Sequence, residues 1–228
     1  GQPLSVVGMH PLLSVWHLDQ WWAVLEKPAG LRTVCGTGEG GEDSIEARLQ
    51  EVFPSAVGSS GGLITHRLDM ETSGLLVIAR SRPARRSLMK QFEQRKVGKQ
   101  YVAVVDGEVE GASGAIDLPL AKDESHHVRQ QVDAAGRPSR TLWRVLDRAF
   151  GRTLVQLKPI TGRRHQLRVH MASGLGCPIL GDTLYGEAST APRLLLHASE
   201  LAFWAPRSGQ WVVCRSAAPF QLGQLSGD

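Results

Sequence analysis

Three separated segments of this 228-residue chain hold polar residues in settings rigid enough for chemistry. The first is His66-Arg67-Leu68-Asp69-Met70-Glu71-Thr72-Ser73-Gly74, which lies between the apolar runs Leu63-Ile64-Thr65 and Leu75 to Ala79. A carboxylate fixed between two strands can serve as nucleophile, acid or base. Asp69 can equally be a turn cap that bonds the backbone near Thr72, because Asp is a habitual turn residue. The second segment, Lys99 to Val105, carries Tyr101, one of two tyrosines. A lone strand tyrosine is by default a packing residue. The third, Thr161-Gly162-Arg163-Arg164-His165-Gln166-Leu167-Arg168-Val169-His170, has the bland alternative of a basic, solvated helix start.

Other patterns are weaker. Gly36-Thr37-Gly38-Glu39-Gly40-Gly41 fits G-x-G-x-x-G, yet Glu39 would repel a pyrophosphate and no βαβ alternation follows. Gly58-Ser59-Ser60-Gly61-Gly62 fits G-x-S-x-G, but a nucleophile elbow needs a strand before the serine and a helix after it, and here the order is reversed. His165 and His170 are off one helical face, and no set of His, Cys and carboxylates has zinc-like spacing, so no metal is expected. Asp69 and Glu71 could be imagined as a glycosidase pair, but they form one local cluster instead of flanking a substrate from two elements.

The elements that must position these residues are legible from periodicity. Trp21 to Glu26 reads as a buried strand closed by Lys27-Pro28-Ala29-Gly30. Asp43-Ser44-Ile45-Glu46 resembles a capping box opening a short amphipathic helix to Phe53, ended by Pro54 and the Gly/Ser run at 58 to 62. Leu63 to Thr65 and Leu75 to Ala79 are strand-like, and Pro83 near a first helical position starts a basic helix to about Lys96. Lys99 to Val109, Gly114 to Leu120, Thr141 to Leu146, Thr153 to Leu157, Leu194 to Leu196 and Trp211 to Cys214 are further strand candidates. Strands outnumber helices and come in runs. The expectation is an α+β fold with a mixed, largely antiparallel central sheet flanked by helices.

Composition sets the class. With 42% hydrophobic and 21% charged residues the chain is globular and long enough to bury its own core, as one domain or as two halves sharing a sheet. The 26 Lys and Arg against 22 Asp and Glu give a net charge of +4, which suits a polyanionic partner. Three scattered cysteines signal neither a disulfide framework nor a thiolate metal site, so a reducing, cytoplasmic compartment is expected. No apolar stretch reaches membrane-spanning length, and no membrane partner is expected.

Taken together, the three segments resemble the RluA family of pseudouridine synthases. His66-Arg67-Leu68-Asp69 with Thr72-Ser73-Gly74-Leu75-Leu76 is similar to its catalytic motif, Lys99-x-Tyr101-x-Ala103 to its tyrosine strand, and Gly162-Arg163-x-His165-Gln166-Leu167-Arg168-x-His170 to its third motif. Lys27-Pro28-Ala29-Gly30-Leu31, Gly181-Asp182-Thr183-Leu184-Tyr185-Gly186 and Leu196-His197-Ala198 add to the likeness, which runs from about Trp21 to Phe220. Cys35 stands where relatives often carry proline and Arg164 where they carry threonine; both bear on how RNA is gripped.

The resemblance implies the pseudouridine synthase fold with a catalytic cleft across the sheet. It places a catalytic domain over residues 21–222, after an extension at 1–20, without an S4-like domain, and before a tail at 223–228. It implies isomerisation of uridines in structured RNA, such as tRNA or rRNA stem-loops, by a monomer without cofactor or metal. Asp69 would be the nucleophile, Arg168 its ion-pair partner, and Tyr101 the residue stacked on uracil or moving a proton. Lys27, His66, Arg67, Arg163, His165 and Gln166 would contact RNA, Arg67 by filling the gap left when the base is extruded. Whether Asp69 attacks C1′, removes a sugar proton to give a glycal, or adds to the ring stays open.

Overall fold

The computed structural model describes residues 13–36, 43–53 and 63–222. The glycine patterns at 36–41 and 58–62, most of the extension at 1–20 and the tail at 223–228 lie outside them wholly or in large part. The fold is α+β and its sheet pairing is largely antiparallel. The chain divides into two compact units, one from the chain up to Lys99 with Ala198–Ala217, the other from Gln100–His197 with the chain from Ala218 on.

In the first unit, β1 (Ser14–Leu18), β2 (Trp22–Lys27), β3 (Ser73–Ala79) and β10 (Leu196–Trp204) are neighbours in that order, and β11 (Trp211–Arg215) pairs with β10. The β1–β2, β2–β3 and β10–β11 pairings are antiparallel. Every residue of β3 is buried, which is why its sequence reads as a continuous apolar run rather than an alternation. Gly74 on this strand has φ +118°, and a Cβ there would lie 2.4 Å from the Ala198 carbonyl oxygen, so only glycine lets β10 come this close.

Two helices belong to this unit. α1 (Ile45–Val52) starts at Ser44, whose hydroxyl accepts from Ala47 N–H. The cap falls at Ser44, one residue after the start of the Asp43-to-Glu46 pattern, so Ala47 takes the third helical position and the box is not completed; the Glu46 carboxylate instead accepts from Cys35 N–H. α2 (Arg82–Glu93) is capped by Ser81 with Pro83 in its first turn, and packs Ala84 and Leu88 against Trp22, Val24, Leu75, Val77 and Phe203. It stops short of Lys96 because Arg95 turns left-handed, at φ 55°. Leu63 to Thr65 is not a strand but an isolated bridge from Ile64 to Ile78.

In the second unit the order is β4 (Gly98–Asp106), β9 (Arg152–Pro159), β8 (Arg140–Ala149), β5 (Ser113–Asp117), antiparallel throughout. β6 (Leu120–Lys122) and β7 (Gln130–Val132) form a separate hairpin. The short, polar β7 carried no periodicity by which its sequence could announce it. α3 (Gln166–Val169) continues into a π-helical turn at His170–Gly174. Beneath it lies a core that includes Val104, Val155, Leu157, Leu167 and Met171.

Candidate active site

Asp69 occupies a tight turn whose backbone is tied on both sides. Thr72 N–H donates to the Asp69 carbonyl at 3.1 Å, and Gly30 N–H donates to Met70 O at 2.9 Å. Just upstream, the Thr33 hydroxyl donates to Leu68 O and accepts from Leu68 N–H, at 2.8 and 3.1 Å. The loop after β2 therefore clamps the turn from both ends, while β3 carries the chain away. Asp69 is partly buried, and the neighbouring Arg67 is exposed.

Lys27 has a different role from the one expected. It is fully buried, and its Nζ donates to the carbonyls of Pro28, Leu31 and Met70 at 2.8, 2.7 and 2.9 Å. Three hydrogens on three carbonyls leave no donor for a phosphate. Lys27 is a bolt between the Lys-Pro-Ala-Gly loop and the Asp69 turn.

His66 is also held within the protein. Its Nε2 accepts from Val77 N–H at 3.0 Å and its ring stacks on Phe92 with centroids 4.4 Å apart. Burial, with a smaller push from Lys99, lowers its pKa from 6.5 to about 3. A neutral imidazole brings no charge to RNA. It also links stability to pH: between 6.5 and about 3 the unfolded chain takes up a proton that the folded chain refuses. The contribution is complete above 6.5 and is lost as pH falls toward 3, at up to about 1.4 kcal/mol per pH unit. Urea unfolding between pH 7 and 4 is expected to show a shallower acid loss of stability for His66→Asn than for the unsubstituted protein. Parallel curves would refute the assignment.

In the second unit the helical part of the third segment is the opposite of a solvated helix start: His165 through Met171 are all buried. Gln166 has all four hydrogen-bonding positions filled. Its Oε1 accepts from the Thr161 hydroxyl and Arg163 N–H, and its Nε2 donates to Arg140 O and Thr141 Oγ1. One turn on, His170 Nδ1 meets the same Thr141 hydroxyl at 2.8 Å and Nε2 meets Leu118 O at 3.0 Å. Gln166 is thus saturated by the fold. His165, left-handed at φ 54°, is 7% exposed and places Nδ1 2.8 Å from the Tyr185 hydroxyl, so it too is an internal contact. Arg163 is partly buried and Arg164 exposed.

Arg168 is 3% exposed and grips Asp182 with both Nε and Nη2, at 2.8 and 2.6 Å. Asp182, fully buried, also accepts Leu184 and Tyr185 N–H on Oδ1. The Tyr185 ring lies 5.3 Å from the Arg168 guanidinium and 5.4 Å from that of Arg129. Asp182 and Tyr185 are functional candidates that reasoning from the three segments missed; the only signal was the Gly-Asp-x-x-Tyr-Gly pattern. A planar guanidinium fixed by a bidentate carboxylate presents its remaining donors in one orientation. Tyr101 sits on β4 opposite Leu157, partly buried against the core. Among the described residues no group of three or more His, Cys, Asp or Glu could hold a metal ion.

Residues 22–173 match the family model described as RNA pseudouridylate synthase. A protein of Escherichia coli O6:H1 named dual-specificity RNA pseudouridine synthase RluA is 43% identical over 215 residues, 92% of this chain and 95% of that one. Its namesake in Vibrio vulnificus is 46% identical, with 83% and 77% covered. Among solved structures, human RNA pseudouridylate synthase domain containing 1 superposes with a TM-score of 0.77 at 29% identity, covering 96% of this chain and 89% of that one. Its counterpart, domain containing 4, gives 0.71 at 27%, covering 90% and 88%.

Proposed function

The chain belongs to the RNA pseudouridylate synthase family, an isomerase acting on RNA, and on that premise we propose that it converts particular uridines of tRNA or rRNA stem-loops with Asp69 as nucleophile. The reaction breaks the bond from N1 to C1′, turns the uracil and joins C5 to C1′, with the C5 hydrogen leaving as a proton and N1 taking one up. Composition does not change, so the step needs no redox partner. A carboxylate suits an oxocarbenium-like sugar carbon, and a covalent link would keep base and ribose together while the base turns.

The observation that carries this reading is the clamped turn at Asp69, held by Gly30, Thr33, Lys27 and Thr72 so that the backbone bearing the carboxylate is set before substrate arrives. Asp182 takes the Nε edge of Arg168. Arg168, thus held, is the residue we read as the cation that keeps Asp69 ionised and aimed, as the resemblance implies. Tyr101 would stack on the extruded uracil or move a proton. Exposed Arg67 would fill the gap in the helix, and Arg163 would hold the backbone. Arg82, Arg86 and Lys90, exposed at four-residue spacing along α2, suit phosphates of a folded stem-loop. A cytoplasmic monomer fits this role, and no helix of the described chain is long and apolar enough to cross a membrane.

Pseudouridine mapping across total RNA from cells with and without this protein tests the proposal. Sites in tRNA or rRNA stem-loops that vanish with the protein are expected. Identical maps would overturn it.

A further inference from the structure

Cations withdrawn from solvent are normally paired, and the first unit obeys this rule with one exception. Lys27 has its three carbonyls, Arg48 its ion pair with Asp43, Arg80 the carbonyl of Asp19, and Arg85 the carbonyl of Ile64. Lys99 is partly buried at the second position of β4, and its ammonium has neither an ion pair nor a hydrogen bond among the described residues. Burial lowers its pKa.

Its place makes the exception informative. The Lys99 ammonium acts electrostatically on His66, which is pinned between Val77 N–H and the Phe92 ring. His66 leads directly through exposed Arg67 and clamped Leu68 to Asp69. The neutral His66 cannot satisfy the charge, and among the described residues no carboxylate forms an ion pair with it. Uracil is neutral as well. The anion that the substrate itself carries is the phosphodiester.

We propose that Lys99 is the ion-pair partner of a backbone phosphate beside the target uridine, kept unpaired by the fold until RNA docks. The proposal rests on the reading of this chain as an enzyme acting on RNA. It adds a strand-borne anchor to the exposed arginines already considered. A compact ammonium on a partly buried stem meets phosphate as a point charge, without the bidentate fork of arginine. Holding a cation unpaired lowers stability in the free protein, so Lys99 is a site where stability and function pull in opposite directions.

The test uses the whole chain and RNA labelled with tritium at uridine C5, prepared as total RNA from cells lacking the protein. Tritium release reports turnover, because C5 loses its hydrogen. Lys99→Met is expected to lower kcat/KM about tenfold, through KM, and to flatten its dependence on salt by about one phosphate contact, a slope change near 0.7–0.9. In the absence of RNA the same variant should melt at a temperature equal to or above that of the unsubstituted protein. Lys99→Arg should restore most of the KM and the salt slope. An unchanged KM and salt slope in Lys99→Met overturns the proposal. So does a loss of kcat shared by Lys99→Met and Lys99→Arg at normal KM, which would make the ammonium a proton carrier at the base. Tritium release by the unsubstituted protein in the same assay keeps the enzymatic reading intact under either result; its absence strikes that reading instead.

Discussion

Asp69→Asn is expected to abolish tritium release from C5-labelled uridine, with a fall of roughly 10⁴-fold or more, while affinity for RNA and the melting temperature stay near those of the unsubstituted protein. The swap keeps the size and planarity of the side chain and removes only the charge that makes it a nucleophile. The turn should survive, because its bonds run through the backbone: Thr72 N–H to the Asp69 carbonyl, Gly30 N–H and Lys27 to the Met70 carbonyl. Intact binding without turnover is therefore the signature. Activity within tenfold of the unsubstituted enzyme would remove Asp69 from the chemistry, and a collapsed melting temperature would make it a structural cap.

Arg168→Ala should be costly in two separable ways. The first is stability. Asp182, fully buried, would keep only the Leu184 and Tyr185 N–H groups for a full negative charge, a loss of roughly 3–5 kcal/mol. The second is activity, through the proposed contact with Asp69. Arg168→Ala combined with Asp182→Asn separates the two, since a neutral amide no longer needs a cation. The double variant should regain much of the stability seen in urea unfolding and none of the tritium release. Arg168→Lys should fold better than the alanine variant yet remain slow, because an ammonium cannot grip Asp182 with two donors and present a third in the same plane. A fully active Arg168→Ala, or a double variant that regains activity along with stability, would confine Arg168 to holding Asp182.

The chemistry of this chain was legible in its sequence because chemical types at short range are a local property. Asp69 between two apolar runs, Tyr101 on a strand and the Gly-Arg-x-His-Gln-Leu-Arg run each stand within a single segment, and the apolar periodicities that frame them are local too. β2, β3, α1 and α2 follow their sequence signals to within a residue or two at most ends, α2 starting one residue before Pro83 behind a Ser81 cap that the sequence reading did not single out. α2 ended early because Arg95 adopts a left-handed turn that no propensity announces, and Leu63 to Thr65 gained only a bridge because one contact with β3 does not make a ladder.

What the tertiary structure decided is which polar residues are spent inside the fold. Lys27, His66, His165 and Gln166 look alike in sequence, as polar groups beside a catalytic pattern, and each was expected to touch RNA. Lys27, His165 and Gln166 are instead buried, and all four are bonded to partners distant in the chain or across a turn: Met70, Val77, Tyr185, Thr141. Asp182, by contrast, was marked only by its Gly-Asp-x-x-Tyr-Gly pattern until the fold set it against Arg168, and Lys99 became notable only because its ammonium has no ion-pair or hydrogen-bond partner among the described residues. Sequence fixes the donors and acceptors a residue owns. Burial decides whether they must be satisfied by the protein, and that depends on which segments the fold brings together.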